Sequence, residues 1–260
     1  GNECKFCSRR RTAEDHASAE LRKQPQDVVD VANALPQTSP PVESINLIAG
    51  SLYDHDREFD IYIDLVERIT AETPYDELPG SLVCMPPDDF SKLEEAYDAG
   101  VRQVKFNMEV FGPDRFEEVL PGKVYYGRER CVSALERSVE VFGAMYVSSN
   151  LILSLEPEES VKEGFRYMAE RGIVPVGKIF HPDEGTPLED ATPWRPRKLL
   201  SPYMALAGLY HQYELTPFLN KHSLRGDISW ELYHLLESNN QKTIISALRN
   251  QIQSFSPHDG

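Results

Sequence analysis

Two cysteines near the beginning of the sequence, Cys4 and Cys7, have the residue type and the spacing of a metal-binding loop. Cysteine thiolates bind zinc and iron–sulfur clusters, so the pair predicts one of these groups at this loop. A Cys-x2-Cys pair alone is a weak signal, because half of a zinc knuckle or a redox-active pair has the same spacing. No second Cys pair and no His-x3-His follows at zinc-finger spacing, which makes structural zinc the weaker interpretation. The remaining cysteines, Cys84 and Cys131, are interpreted as small core residues.

The overall composition limits the classes of partner. The 260 residues include 42 acidic and 27 basic side chains, which gives a formal net charge of −15. Binding of DNA or RNA relies on clustered Lys and Arg, so no nucleic-acid partner is expected. No stretch approaches the roughly 18 apolar residues of a transmembrane helix, so no membrane partner is expected either. The sequence shows no secretory signal pattern and few cysteines, and these features predict a cytoplasmic location.

Apolar segments of strand length alternate along the chain with segments of helical period. The predicted strands cover residues 45–49, 81–85, 104–109, 145–155 and 173–180. Helices are predicted between them over residues 56–72, 90–100, 128–142 and 158–172. This alternation is typical of parallel βαβ units and predicts the α/β class. Further helices are predicted at 199–214 and 228–252, so we divide the chain into a βα core at residues 1–190 and a C-terminal helical extension at 191–260.

Polar residues stand at or just beyond the carboxyl ends of several predicted strands. They are Gly50, Ser51, Asn107, Glu109, residues 148–150 and residues 181–186. In parallel α/β folds the chemistry collects at this edge of the sheet, and a polar side chain in an apolar strand is costly to bury without a partner. Asn107, Glu109 and Asn150 are therefore candidate ligand contacts. The alternative is that some of them face solvent or pair with one another.

The order and spacing of these motifs resemble the radical S-adenosylmethionine (radical SAM) superfamily. Within it the likeness is to the biotin-synthase-like group, and most to members associated with iron-hydrogenase cofactor biosynthesis. Cys4 and Cys7 match the last two positions of the family's C-x3-C-x2-C motif, and Phe6 matches the aromatic residue before the last Cys. The first Cys of that motif would precede Gly1. The resemblance therefore implies an N-terminally truncated, partial (βα)6 TIM-like barrel that lacks its first strand and carries a C-terminal helical tail.

The same resemblance implies two cofactors, a 4Fe–4S cluster bound by Cys4 and Cys7 and a bound S-adenosylmethionine. Gly50 and Ser51 match the motif that meets the methionine amino group, although the usual Gly-Gly-Glu form is absent. The positions implied to contact S-adenosylmethionine are Phe6, Gly50, Ser51, Asn107, Glu109, Arg130 and Asn150.

The activity implied by the resemblance is reductive cleavage of S-adenosylmethionine to a 5′-deoxyadenosyl radical. This radical would abstract hydrogen from a small-molecule substrate in cofactor or small-metabolite biosynthesis. The implied electron donor is a protein such as flavodoxin or ferredoxin. Two alternatives remain open at this point: a methylornithine-synthase-like mutase, and a non-catalytic or zinc-binding relative whose cluster site is incomplete.

Overall fold

Five parallel strands, hydrogen-bonded in the order of the sequence, form the sheet of this protein. A computed structural model describes residues 2–8, 23–40, 44–215 and residue 234. Its strands are β1 (Ile45–Ile48), β2 (Gly80–Val83), β3 (Val104–Lys105), β4 (Val147–Leu153) and β5 (Val174–Ile179). The predicted α/β class with parallel strands is confirmed.

Helices alternate with these strands along the chain. They are α1 (Pro25–Ala34), α2 (His55–Glu72), α3 (Lys92–Ala99), α4 (Pro113–Val119), α5 (Arg128–Phe142), α6 (Glu158–Ala169) and α7 (Pro196–Gln212). Short 3-10 turns occupy Leu35–Gln37 and Pro121–Lys123. None of the helices in the described residues is long and apolar enough to cross a membrane.

Helix α2 follows β1 and illustrates how the sequence positions an element of the site. Its buried side chains Phe59, Ile63 and Val66 recur at helical spacing and pack into the core. The carboxylate of Asp54 accepts a hydrogen bond from the Arg57 backbone N–H at 3.0 Å, which caps the helix N-terminus. The β1–α2 loop is thereby held at the carboxyl end of the sheet.

The strand predicted at residues 104–109 is shorter in the structure, where only Val104–Lys105 forms β3. The chain then leaves regular pairing, because the Met108 backbone N–H donates to the Ser149 hydroxyl instead of to a strand carbonyl. It returns to β4 at Glu109, whose backbone forms an isolated bridge with Leu151. This irregular segment turns the side chain of Glu109 away from an ordinary strand position.

Helix α7 is the described part of the predicted C-terminal extension, and it packs directly on β5. The buried hydroxyls of Tyr203 and Tyr210 donate to the carbonyls of Gly177 and Pro175, at 3.1 and 2.6 Å. Gly177 permits this approach, since a Cβ there would lie 3.0 Å from the Tyr203 ring. The helix predicted at 228–252 lies outside the described residues, apart from residue 234.

Candidate functional site

A cavity of about 1020 Å³ opens at the carboxyl ends of β1, β2 and β3, where chemistry is expected in a parallel α/β fold. Its described walls come from the cysteine loop, the three strand ends, the Pro121–Lys123 turn, helix α2 and the loop after β5. The lining residues include Cys4, Cys7, Gly50, Ser51, Glu58, Cys84, Asn107, Glu109 and Lys123. The volume is at the upper end of the roughly 300–1,000 Å³ of small-molecule sites.

The cysteine loop, residues 2–8, brings both thiols of the Cys-x2-Cys pair to this cavity. The Cys7 backbone N–H donates to the Cys4 carbonyl at 3.1 Å, so the two residues share one tight turn. Burial raises the pKa of the Cys4 thiol to about 11, and the nearby Lys123 ammonium acts in the opposite direction. A bound metal would lower the pKa of this thiol, because metal coordination favours the thiolate form. Within the described residues, no group of three His, Cys, Asp or Glu side chains has the geometry of a metal site.

The loop is fixed by two backbone hydrogen bonds to the segment that follows β3. The Lys5 N–H donates to the Val119 carbonyl at 3.0 Å, and the Gly122 N–H donates to the Asn2 carbonyl at 3.0 Å. Gly122 has no room for a side chain, since a Cβ there would lie 2.3 Å from the carbonyl carbon and oxygen of Asn2. The glycine therefore allows the cysteine loop to dock, a role that sequence reasoning missed.

Glu58 is a second residue that sequence reasoning missed. Its side chain lies on the buried face of α2 and reaches the cavity. One carboxylate oxygen accepts from the Leu52 N–H at 2.7 Å and from the Ser51 hydroxyl at 3.1 Å. Burial raises the pKa of Glu58, and these two hydrogen bonds oppose the rise. The signal in the sequence was helical spacing, because Glu58 precedes the buried Tyr62 by one turn.

Glu109 occupies a backbone conformation that most residues avoid. Its φ of 66° lies in the left-handed region, and hydrogen bonds on both sides hold it there. The Glu109 N–H donates to the Asn150 carbonyl at 2.8 Å, and the Ile152 N–H donates to the Glu109 carbonyl at 2.7 Å. Strained residues of this kind concentrate at functional sites. Burial raises the pKa of the Glu109 carboxyl, while Lys123 lowers it.

Lys123 supplies a buried cation to the same cavity. Its ammonium group donates to the Asn107 carbonyl at 2.6 Å. The Asn107 side chain in turn accepts from the Asn150 backbone N–H at 3.2 Å. Lysine is rarely buried without a partner, so its position beside Cys4 and Glu109 indicates an electrostatic role in the cavity.

Six of the predicted site residues line the cavity together: Cys4, Cys7, Gly50, Ser51, Asn107 and Glu109. Phe6 packs half-buried against the hydrophobic core and is not among the lining residues. Asn150 is also outside the lining, and its buried Oδ1 has no hydrogen-bond partner among the described residues. Cys84, interpreted from sequence as a core residue, packs against the core and also lines the cavity.

Arg130 is placed away from the cavity. Its guanidinium donates to the Asp88 carbonyl, and its Nε lies 3.6 Å from the Asp88 carboxylate. It also lies over the rings of Phe90 and Tyr126, at 5.2 and 5.5 Å from their centroids. The structure thus turns Arg130 toward the loop after β2, and among the described cations Lys123 lines the cavity instead.

Comparison with known proteins gives one curated relative and several structural neighbours. The chain is 29% identical over 204 residues to the bacteriochlorophyllide c C-7(1)-hydroxylase of Chlorobaculum limnaeum, which covers 75% of this chain and 49% of the relative. No protein-family model matches the sequence.

Two solved structures share the fold. One is methylornithine synthase (PylB), with a TM-score of 0.59 and 17% identity over 82% of this chain and 59% of that chain. The other is HydG, a maturase of the FeFe-hydrogenase, with a TM-score of 0.62 and 12% identity over 83% and 48% of the two chains. This chain therefore spans about half the length of the relatives it matches. The shared fold with HydG and PylB confirms the fold expectation, a parallel α/β fold like the partial barrel of radical SAM type.

Proposed function

We propose that this chain forms the cofactor-binding part of a radical SAM enzyme that acts on a small molecule in cofactor or small-metabolite biosynthesis. The observation that carries the proposal is the meeting of Cys4 and Cys7 with Gly50, Ser51 and Glu109 around one cavity. The family resemblance predicted these residues from widely separated parts of the sequence, and the confirmed fold supports reading their meeting as a cofactor site.

Cys4 and Cys7 would provide two thiolate ligands of a 4Fe–4S cluster. Soft thiolates are the donors that such clusters use, and the turn that joins the two residues points both toward the cavity. When bound, the cluster and S-adenosylmethionine supply a one-electron cleavage that yields the 5′-deoxyadenosyl radical for hydrogen abstraction. A flavodoxin or ferredoxin is the electron donor that we propose, and the cytoplasm is the proposed location.

Glu58 is our candidate for the carboxylate that the Gly50–Ser51 segment lacks. The Gly-Gly-Glu pattern of the family that the sequence resembles is absent here, but Glu58 reaches the same loop from helix α2 and accepts hydrogen bonds from Ser51 and Leu52. A buried carboxylate at a cavity wall favours a cationic partner, because that partner offsets the cost of burying its charge. We assign Glu58 to the ammonium group of S-adenosylmethionine.

The opposite side of the cavity offers groups for the ribose and carboxylate of S-adenosylmethionine. Glu109 can accept hydrogen bonds from ribose hydroxyls, and its fixed backbone keeps that acceptor in one direction. Lys123 is a better-placed cation for the carboxylate than Arg130, since Lys123 lines the cavity and Arg130 engages Asp88. The roles of Phe6, Asn107 and Asn150 toward the cofactor remain predictions from the resemblance.

A zinc-binding or non-catalytic protein is the second candidate function. The observation on its side is that the described residues bring two cysteines and no third metal ligand to the loop, one thiolate fewer than the family's three-Cys motif. Zinc itself would need further ligands, because structural zinc sites are four-coordinate. A methylornithine-synthase-like mutase and a hydroxylase are two forms of the first proposal, suggested by the names of PylB and of the curated relative.

Metal content and S-adenosylmethionine cleavage decide between the two candidates. The full-length protein is purified without oxygen, reconstituted with iron and sulfide, and reduced with dithionite in the presence of S-adenosylmethionine. We expect about four irons per chain and formation of 5′-deoxyadenosine. Cys4→Ala and Cys7→Ala should lose both, whereas Cys131→Ala, a buried cysteine of α5, serves as the matched control. An iron-free, zinc-loaded protein that forms no 5′-deoxyadenosine would overturn the enzyme proposal.

A further inference from the structure

Exposed apolar side chains concentrate at the mouth of the cavity. Eight large apolar side chains are highly exposed among the described residues, and five of them belong to two segments. One segment is the end of β1 with the loop after it, and the other lies between the Pro121–Lys123 turn and α5. These five, which we call the shelf, are Ile48, Leu52, Tyr53, Val124 and Tyr125, with exposures of 50, 42, 66, 43 and 51%. Exposed apolar side chains that cluster beside a cavity are typical of binding sites rather than of ordinary protein surface.

The shelf is continuous with the cavity. Ile48 lines the cavity itself, and the backbone N–H of Leu52 bonds the cavity residue Glu58. On the other side, Val124 and Tyr125 directly follow Lys123, which also lines the cavity. The rings of Tyr53 and Tyr125 join the two loops, with centroids 5.5 Å apart and planes inclined at 54°. A molecule on the shelf would therefore extend into the site of the proposed chemistry.

A buried histidine fixes the shelf from below. The ring of His55 stacks on Tyr125 at 5.5 Å, and its Nε2 is 2.7 Å from the Tyr125 hydroxyl. Tyr126 meets the same imidazole edge-on and donates its hydroxyl to the Pro87 carbonyl at 2.8 Å. The Tyr125 hydroxyl is hydrogen-bonded to His55, so Tyr125 exposes its aromatic ring to solvent and not its hydroxyl. The shelf is thus an ordered, aromatic surface.

The area of the shelf suits a small molecule better than a protein. At these exposures the five side chains offer on the order of 500 Å², since a full aromatic side chain contributes about 150–250 Å². A stable protein interface needs about 800 Å² from each partner. An extended ring system the size of a macrocycle would cover the shelf.

We propose that the shelf binds a flat, conjugated and largely apolar ring system as the substrate of the cavity. This inference rests on the proposed function, because it assigns the substrate class of the same site. The ring would stack on Tyr53, the most exposed of the five side chains, and would meet Tyr125 at an inclined, edge-to-face angle, because the two tyrosine planes differ by 54°. The carbon to be attacked would lie toward the cavity. Conjugated rings stack favourably on aromatic side chains, which distinguishes them from aliphatic molecules of equal area.

A binding titration with protoporphyrin IX tests the shelf independently of catalysis. The absorbance and fluorescence of the porphyrin are followed as the full-length protein is added, with deoxycholate as a non-conjugated competitor. We expect saturable binding that Tyr53→Ser weakens about tenfold and that Tyr53→Leu, which retains apolar area without the ring, weakens almost as much. Ile61→Ser is the matched control, because Ile61 is 51% exposed on helix α2 outside the shelf. Thermal unfolding of each variant verifies that it is folded.

The outcomes separate this inference from the proposed function. Equal porphyrin binding by wild type, Tyr53→Ser and Tyr53→Leu overturns the shelf, as does equal weakening by Ile61→Ser. Displacement by deoxycholate at a similar concentration shows a general apolar surface and overturns the ring specificity. Ring binding by a protein that forms no 5′-deoxyadenosine overturns the proposed function and leaves the shelf in place. Formation of 5′-deoxyadenosine by a protein that does not bind the ring overturns the shelf and leaves the proposed function in place.

Discussion

Replacing Gly122 with alanine tests whether the cysteine loop depends on its contact with the turn Pro121–Lys123. The new Cβ would lie 2.3 Å from the carbonyl carbon and oxygen of Asn2 and 2.8 Å from its Cα. These are backbone atoms, so no flexible side chain can move to relieve the contact. The loop must shift instead, and it then loses the hydrogen bond from the Gly122 N–H to Asn2.

The magnitude follows from the two effects together. Overpacking of this kind costs about 1–3 kcal/mol, and the lost hydrogen bond adds about 0.5–1.5 kcal/mol. A sum of about 1.5–4.5 kcal/mol corresponds to a roughly 10- to 1,600-fold shift away from the docked loop, since about 1.4 kcal/mol is a factor of ten. The loop carries Cys4 and Cys7, so cluster loading should fall with it.

Hydrogen exchange of the Lys5 amide is the direct assay, because that N–H donates to the Val119 carbonyl only while the loop is docked. We expect strongly accelerated exchange at Lys5 in Gly122→Ala, with little change in the sheet. Gly208→Ala is the matched control, since no atom lies within 4 Å of a Cβ at this position of helix α7. That control should stabilise the protein by about 0.5–1 kcal/mol, the usual gain of alanine over glycine in a helix. Unchanged Lys5 protection in Gly122→Ala would refute the reasoning.

Three further predictions concern buried polar groups. Burial raises the pKa of Glu58 and of Glu109, so the folded protein binds more protons than the unfolded chain. The free energy of unfolding therefore falls as the pH rises above the ordinary pKa of these carboxyl groups. Between about pH 4.5 and 7, the free energy of unfolding in urea should fall less for the double variant Glu58→Gln, Glu109→Gln than for wild type. An equal dependence on pH in the two proteins would contradict this expectation. Tyr210→Phe should lower the free energy of unfolding by about 1–3 kcal/mol, because the buried Pro175 carbonyl loses its donor, and no change in urea unfolding would count against that bond. Glu156→Gln should lower the free energy of unfolding by about 1.5–3 kcal/mol, because the buried carboxylate accepts hydrogen bonds from two backbone N–H groups of the loop after β3. An unaltered midpoint of urea unfolding would show that these hydrogen bonds do not stabilise the protein.

The periodic elements were predictable from the sequence because each has a local cause. Helix α2 begins at a capping Asp54 and repeats apolar residues at helical spacing, so its bounds differ from the predicted 56–72 by one residue. The strand at 104–109 was predicted too long for an equally physical reason. Its apolar residues are buried by tertiary packing, while Glu109 takes a left-handed conformation that composition does not signal.

Candidate site residues could be proposed from the sequence where a family motif covers them, but not where contacts join distant segments. Cys4, Gly50 and Glu109 could be proposed from motif order, whereas Gly122 matters only because residue 2 docks on it across 120 positions of sequence. Lys123 likewise has no local signal, since its partner is a backbone carbonyl of the loop after β3. Arg130 matches a family position but engages Asp88 in the structure, because a matching position does not fix the direction of a side chain; its role toward the cofactor stays a prediction.

The charges that line the cavity bear on which cofactor it favours. The described walls carry the buried carboxylate of Glu58, the partly buried carboxylate of Glu109 and the exposed carboxylate of Glu3. They also carry the thiols of Cys4 and Cys7, which would be thiolates when coordinating metal, against one buried cation, Lys123. A cavity with this excess of negative charge disfavours an anionic ligand, because each uncompensated buried charge is costly. S-adenosylmethionine carries a sulfonium and an ammonium against one carboxylate, so its net charge is opposite in sign to that of the walls. Its carboxylate needs a nearby cation, and among the described cations Lys123 lines the cavity. We therefore expect Lys123→Met to weaken S-adenosylmethionine binding and Lys123→Arg to retain more of it, as measured by equilibrium dialysis; equal affinity in the two variants would show that the cation is not part of the site.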